Sequence, residues 1–279
     1  MSAERVWFIT GASRGFGKEF AKAALERGER VAATARNTSD VDDLVEAYGD
    51  AVLPVRLDVT DRESVDAAVT HAHEHFGRLD VVVNNAGFGL AGGVEEVTDE
   101  QLQQQLDVNL FGALWVTRRV LPILREQRSG WIVQVSSIGG LAAFPGFGIY
   151  HASKWALEGV SETLAQEVAD LGIKVMMVEP SGFRTDWAGN SMTRAEPIED
   201  YDSVLGEFHE RMKEENNGTQ PGNPEKAAAA LIDALDADEP PFRLLLGNRA
   251  FDTAVDRYES RLEGFRKIES IARGADDQA

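Results

Sequence analysis

Short, almost uninterrupted apolar runs alternate with helical-period segments along most of the chain. Runs of strand type fall at 6–10, 30–33, 52–57, 80–84, 131–136, 174–179 and 242–246. Between them, segments near 16–27, 62–76, 99–128, 151–170 and 225–236 repeat their apolar residues at the spacing of one helix face. Strands that read as continuous apolar runs suit a parallel sheet buried on both faces. Strand–helix–strand units of this length cross over right-handed. The pattern therefore predicts a doubly wound (Rossmann) α/β fold, with a mostly parallel seven-stranded sheet and helices on both faces. The rhythm passes residue 150 without a linker rich in Gly, Pro or Ser, which predicts a single domain over residues 1–279.

Two stretches depart from this rhythm. Residues 186–222 are polar, with Trp187, Met192, Tyr201 and Phe208 spaced through them and Asn216-Asn217-Gly218 near the end. Such an insertion reads either as a substrate lid or as a plain surface loop. Near 250–272, Phe251, Val255, Tyr258, Leu262, Phe265 and Ile268 fall on one stripe. They predict a C-terminal helix that docks on the core or on a partner subunit, with fraying from 274 onward.

Composition narrows the function. Against 28 Lys and Arg stand 47 Asp and Glu, a net charge of −19 in 279 residues. A field of that sign repels phosphodiester backbones and anionic membranes, so neither nucleic acid nor membrane is an expected partner. With no cysteine, disulfides, thiolate metal sites and a cysteine nucleophile are excluded. No run approaches the roughly 18 apolar residues of a membrane span, and no secretory signal opens the chain; a cytoplasmic protein is expected. His71, His73 and His75 sit on a polar helix beside Glu74 without a metalloenzyme spacing, so no metal is expected.

The chemistry is carried by a glycine turn. Thr10-Gly11-Ala12-Ser13-Arg14-Gly15-Phe16-Gly17 directly follows the first strand and opens the first helix. Glycines there allow a tight turn, close approach of a pyrophosphate, and packing of helix on sheet. The helix start offers unpaired N–H groups to an anion. Thr10-Gly11-x3-Gly15-x-Gly17 resembles the cofactor motif of the short-chain dehydrogenase/reductase family, and that family's further motifs follow in order. Asp58-Val59 resembles its adenine-side acid, Asn84-Asn85-Ala86-Gly87 the motif ending its fourth strand, and Asn109 its helix asparagine. Ser137 precedes Tyr150-x3-Lys154 at the family's spacing, and 180–185 resembles the nicotinamide-side loop, with Ser181 where the family usually has glycine. The resemblance covers residues 6–185. It implies a dinucleotide held by Gly11, Ser13, Arg14, Gly15, Phe16, Gly17, Arg36, Asp58, Val59, Asn85, Ala86, Gly87, Tyr150, Lys154, Pro180, Gly182, Phe183 and Thr185.

Tyr150 and Lys154 lie i and i+4, hence on one helix face. A neighbouring ammonium favours phenolate, so the spacing predicts that Lys154 lowers the tyrosine from its ordinary pKa of about 10. The resemblance further implies that Tyr150 gives or takes the substrate proton while hydride moves to or from nicotinamide. By the same resemblance, Lys154 binds the nicotinamide ribose, Ser137 orients the carbonyl, and Asn109 completes the tetrad on a water-linked proton path. The segment 141–149, with Phe88, Trp187 and Met192, predicts an apolar pocket. A hydrophobic ketone or its secondary alcohol is therefore expected: alicyclic, aromatic or steroid-like, as in the branch similar to 17β-hydroxysteroid dehydrogenases. Two alternatives stand beside it: a dinucleotide-binding sensor or regulator without turnover, and an epimerase or dehydratase of nucleotide sugars.

Cofactor choice rests on the end of the second strand, Thr34-Ala35-Arg36-Asn37. An acid there would hold ribose hydroxyls and repel a 2′-phosphate. Arg36, with Arg14, instead predicts NADP(H). The helices at 99–128 and 151–170 occupy positions through which family members pair, which predicts a homodimer or homotetramer.

Overall fold

A computed structural model describes residues 4–276, apart from 186, 188, 190 and 215–217. Asp186, Asn216, Asn217 and the last three residues, all touched by the expectations above, lie outside the described residues.

Seven strands form one sheet in the order β3-β2-β1-β4-β6-β7-β9, every pairing parallel. They are β1 (Val6–Ile9), β2 (Arg30–Ala35), β3 (Val52–Arg56), β4 (Val81–Asn84), β6 (Gly130–Val135), β7 (Ile173–Pro180) and β9 (Arg243–Leu246). The chain winds outward from β1 to β3, then returns to lay β4 on the other side of β1, which opens a crevice at the carboxyl ends of β1 and β4. Side chains alternate across the sheet into two cores. Trp7, Ile9, Val83 and Met176 pack under α1 (Gly15–Glu26) and α8 (Pro224–Asp236). Val6, Phe8, Val82 and Val175 pack under α3 (Arg62–Phe76) and the long helices that follow β4 and β6. Burial on both faces is why the strands read as unbroken apolar runs.

The helix expected over 99–128 has three parts: α4 (Asp99–Leu106), a π-helical turn at Asp107–Gly112, and α5 (Ala113–Gln127). Thr98 and Gln101 close a reciprocal capping box at its start. The next long helix, α6, spans Gly148–Glu167. A short helix that the apolar pattern does not signal, α2 (Asp42–Tyr48), joins β2 to β3 and buries only Leu44.

The insertion carries order of its own. Its strand β8 (Met192–Arg194) pairs in parallel with β5 (Gly89–Ala91), and α7 (Asp202–Glu214) follows. A buried carboxylate fastens it to the body: Glu96 accepts from the backbone N–H of Gly93 (2.6 Å) and of Ile198 (3.0 Å), and pairs with His209 Nε2 at 3.0 Å. Tyr201 donates its hydroxyl to Glu95. At the C-terminus, α9 (Asn248–Lys267) buries only Ala250 and Ala254. Its apolar stripe does not dock on the chain's own core, since Phe251 is 58% and Phe265 65% exposed. No helix among the described residues is long and apolar enough to cross a membrane.

Candidate active site

Sterics and hydrogen bonds build the crevice. Gly11 and Gly15 have φ of +67° and +56°, the left-handed region that glycine enters without strain. Thr10 Oγ1 accepts from the backbone N–H of both Asn85 and Ala86, each at 2.9 Å. Asn85 Nδ2 donates back to the carbonyls of Thr10 (2.9 Å) and Gly11 (3.0 Å). The two expected motifs thus lock each other across β1 and β4. At the start of α1, Arg14 is extended and no side chain caps the helix, so the first-turn N–H groups stay available to an anion.

One cavity of about 1700 Å³ runs over the carboxyl ends of the strands, and every residue expected to touch a cofactor lines it except Gly17. Gly17 packs instead against Gly11 and Asn85, where a Cβ would find no room. Asp58 sits in the wall, its Oδ1 accepting from Thr60 N (2.9 Å) and Thr60 Oγ1 (2.7 Å). Burial pushes its carboxyl up, but the two Thr60 hydrogen bonds together with Arg36 and Arg56 leave it net lowered. Arg14 and Arg36 are exposed on the rim. At the other end, Phe16 and Phe183 rings meet at 5.0 Å, and Ser181 turns its hydroxyl to the Leu246 carbonyl (3.4 Å). These residues fit a dinucleotide: a glycine floor without side chains, an open helix start, and two exposed cations on the rim.

Ser137, Tyr150 and Lys154 line the same cavity, and Ser137 Oγ accepts from the backbone N–H of Gly139 at 3.0 Å. Burial pushes the Tyr150 phenol up to about 12, a shift the neighbouring Ser137 hydroxyl opposes. This corrects the expectation drawn from spacing. Lys154 Nζ lies 5.9 Å from the Tyr150 ring centroid and donates to the Val135 carbonyl at 2.8 Å, so it does not offset desolvation of the phenol. Burial pushes Lys154 down to about 8, with Glu158 acting upward. Asn109 lies in the π turn, outside the cavity lining. Its Oδ1 accepts from Phe88 N (3.0 Å) and its Nδ2 donates to Phe88 O (2.9 Å), so the side chain clamps the loop after β4.

Around Tyr150 the wall is aromatic. Phe88, Phe144, Phe147, Trp187 and Phe208 line it, with Phe147 5.0 Å from Phe208 and Trp187 5.4 Å from Tyr150. Leu141 and Met192 do not line it; Met192 is buried between Ala91 and Phe208. His151 lines the cavity without having been anticipated. Its Nδ1 accepts from Phe144 N at 3.5 Å, and burial pushes the imidazole down to about 4, so it is neutral at pH 7. Only its place beside Tyr150 could have signalled it.

A cradle for a dinucleotide and a buried tyrosine–lysine pair at the switch point of a parallel sheet define an oxidoreductase. The short chain dehydrogenase model matches residues 5–196, and the chain belongs to that family. The oxidoreductase BOA17 of Botryotinia fuckeliana is 46% identical over 90% of this chain and 91% of its own. A 3-ketodihydrosphingosine reductase of Bacteroides thetaiotaomicron is 40% identical over 87% and 88%. A short-chain dehydrogenase structure from Streptomyces avermitilis superimposes with TM-score 0.92 at 41% identity, over 99% of this chain and 100% of that one. One from Burkholderia phymatum in complex with NAD gives 0.80 at 25%, over 93% and 95%.

Proposed function

We propose that this protein is an NADP(H)-dependent ketone reductase, interconverting a hydrophobic ketone and its secondary alcohol. The observation that carries the reading is that Ser137, Tyr150 and Lys154 line together the aromatic-walled end of the dinucleotide-shaped cavity, Lys154 one helical turn from the phenol. When bound, the nicotinamide supplies or takes up the hydride. A phenol pushed up to about 12 keeps its proton at neutral pH, yet is acidic enough to protonate an alkoxide as a carbonyl is reduced. Ser137 orients the carbonyl oxygen toward that proton. Lys154, Gly11, Ser13, Gly15, Phe16, Asp58, Val59, Asn85, Ala86, Gly87, Pro180, Gly182, Phe183 and Thr185 hold the dinucleotide, and Arg14 and Arg36 take its 2′-phosphate. Asn109 acts through Phe88, and Gly17 through the turn it lets close.

The five aromatic rings around Tyr150 favour an alicyclic, aromatic or steroid-like carbonyl. The name of the Bacteroides relative, a reductase of a keto compound, supports the reducing direction. We read residues 1–279 as one catalytic domain with 186–222 as its substrate lid, placed in the cytoplasm on its composition. The exposed stripe of α9 supports a homodimer or homotetramer. The test is a panel of hydrophobic ketones and alcohols assayed with NADPH, NADH and their oxidised forms. NADPH-dependent reduction is expected; no turnover with either cofactor refutes the reading.

A further inference from the structure

Beside Lys154, outside the cavity lining, lies a buried charge cluster that the proposed chemistry leaves unused. Glu158 stands one turn beyond Lys154 on α6 and is 6% exposed; Glu179, at the end of β7, is fully buried. Arg243, the first residue of β9, reaches both. Its Nη1 donates to Glu179 Oε1 (2.6 Å) and Glu158 Oε2 (2.5 Å), and its Nη2 to Glu162 Oε2 (2.9 Å). One guanidinium therefore serves three carboxylates, two of them buried. Glu158 Oε1, Glu179 Oε2 and Ser136 Oγ, also buried, have no conventional hydrogen-bond partner. Burial and the Glu158 charge push Glu179 up to about 7, so Glu179 is the carboxyl of the cluster that takes up a proton near neutrality.

Lys154, 7% exposed, has the Val135 carbonyl as its hydrogen-bond acceptor. A buried ammonium in that setting favours its neutral form unless a negative charge stands close by. The titratable groups on the elements packed round it are Tyr150, His151, Glu158, Glu162 and Glu167 on α6, Asp107 in the π turn, Lys174 and Glu179 on β7 and Arg243 on β9. The phenol is protonated and the imidazole neutral at pH 7. Among these groups, Glu158 is the buried anion at one-turn spacing on the lysine's own helix face.

We propose that Glu158 is a positioning residue for Lys154: its carboxylate, held by Arg243 one helical turn from the lysine, keeps the buried amine an ammonium, while Glu179 and Arg243 set how much of that charge the lysine feels. The proposal rests on the reading of Lys154 as part of the site. It explains why a costly cluster of buried acids stands one helical turn behind the reacting groups.

Its test needs no substrate. The lysine side chains of the cofactor-free protein are titrated by NMR, and the Lys154 signal is assigned by its loss in Lys154→Arg. The midpoint should lie near 8 in the wild type and about one to two pH units lower in Glu158→Gln. Glu158→Asp, which draws the charge back by one methylene, should fall between them, and decides the matter should the glutamine variant not fold. Equal midpoints in wild type and either variant overturn the proposal. In turnover, the alkaline fall of kcat/KM should move to lower pH in Glu158→Gln by the same interval. A wild type inactive on every ketone refutes the proposed function but leaves the NMR comparison standing. An active wild type with unmoved midpoints refutes the role of Glu158 alone.

Discussion

The tightest steric point of the cofactor cradle is Gly17, and a single methyl group there tests how the cradle is built. A Cβ on Gly17 would lie 2.5 Å from Asn85 Nδ2, 3.0 Å from the Gly11 carbonyl carbon, and closer still to the Gly11 carbonyl oxygen. Two of these atoms are backbone and cannot swing aside. The third belongs to the amide that bonds the carbonyls of Thr10 and Gly11 at 2.9 and 3.0 Å. Gly17→Ala must either expel the Asn85 amide or lift the turn off α1. Losing two hydrogen bonds costs about 2 kcal/mol, and overpacking a tight contact costs about 1–3 kcal/mol more. A total destabilisation of about 3–5 kcal/mol is therefore expected. Urea unfolding followed by circular dichroism reads this directly, and NADPH fluorescence titration should show affinity lost by at least about tenfold. Gly159→Ala is the control. It lies in the middle of α6 with nothing within 4 Å of the added carbon, so the change should stabilise by up to about 1 kcal/mol. A Gly17→Ala protein with wild-type midpoint and wild-type NADPH affinity would refute the account of the cradle.

Ala35→Asp combined with Arg36→Ala should swing the preference from NADPH toward NADH, measured as the ratio of kcat/KM. Because Arg36 is exposed, its share is at the lower end of a charge-assisted pair, about tenfold; an NADH preference in the wild type contradicts the assignment. Glu96→Ala should release the insertion, at a cost of about 3 kcal/mol for a buried carboxylate with three partners, read by limited proteolysis and a raised KM. Burial pushes Glu96 up, but its bonds from Gly93, Ile198 and His209 leave it net below the ordinary 4.5. Its hold on the insertion is thus full above pH 4.5 and is lost as pH falls through the lowered value; proteolysis that stays unchanged down to pH 3 contradicts this. Light scattering at micromolar concentration should give a dimer or tetramer, and a monomer would leave the α9 stripe without a purpose.

Much of the site was legible because each signal was local. Gly11 and Gly15 are demanded by their positive φ and Gly17 by a turn that leaves no space for its Cβ, and Tyr150 and Lys154 meet through helical spacing alone. The unbroken apolar strands gave the parallel sheet because both its faces are covered. What stayed hidden depends on contacts distant in sequence. The π turn at Asp107–Gly112 has no composition of its own; Asn109 is fixed there by bonds to Phe88. The three-residue pairing of β5 with β8, and the hold of Glu96 on Ile198 and His209, join segments about a hundred residues apart. Periodicity found the stripe of α9 but not which way it faces, since only Ala250 and Ala254 seat the helix. The Tyr150 shift runs opposite to the direction its spacing predicts, because spacing says how near a lysine can come but not how deeply the phenol is buried.

The central claim is that Tyr150 moves the proton in NADPH-dependent reduction of a ketone. Tyr150→Phe removes the hydroxyl and keeps the ring among Phe147 and Trp187, so the cavity and its cofactor contacts stay in place. The decisive measurement is kcat of wild type and Tyr150→Phe on the best ketone of the panel, with NADPH affinity measured alongside. The account predicts turnover lower by at least about 10²–10⁴-fold with NADPH affinity within about threefold of wild type. Undiminished turnover by Tyr150→Phe would contradict it.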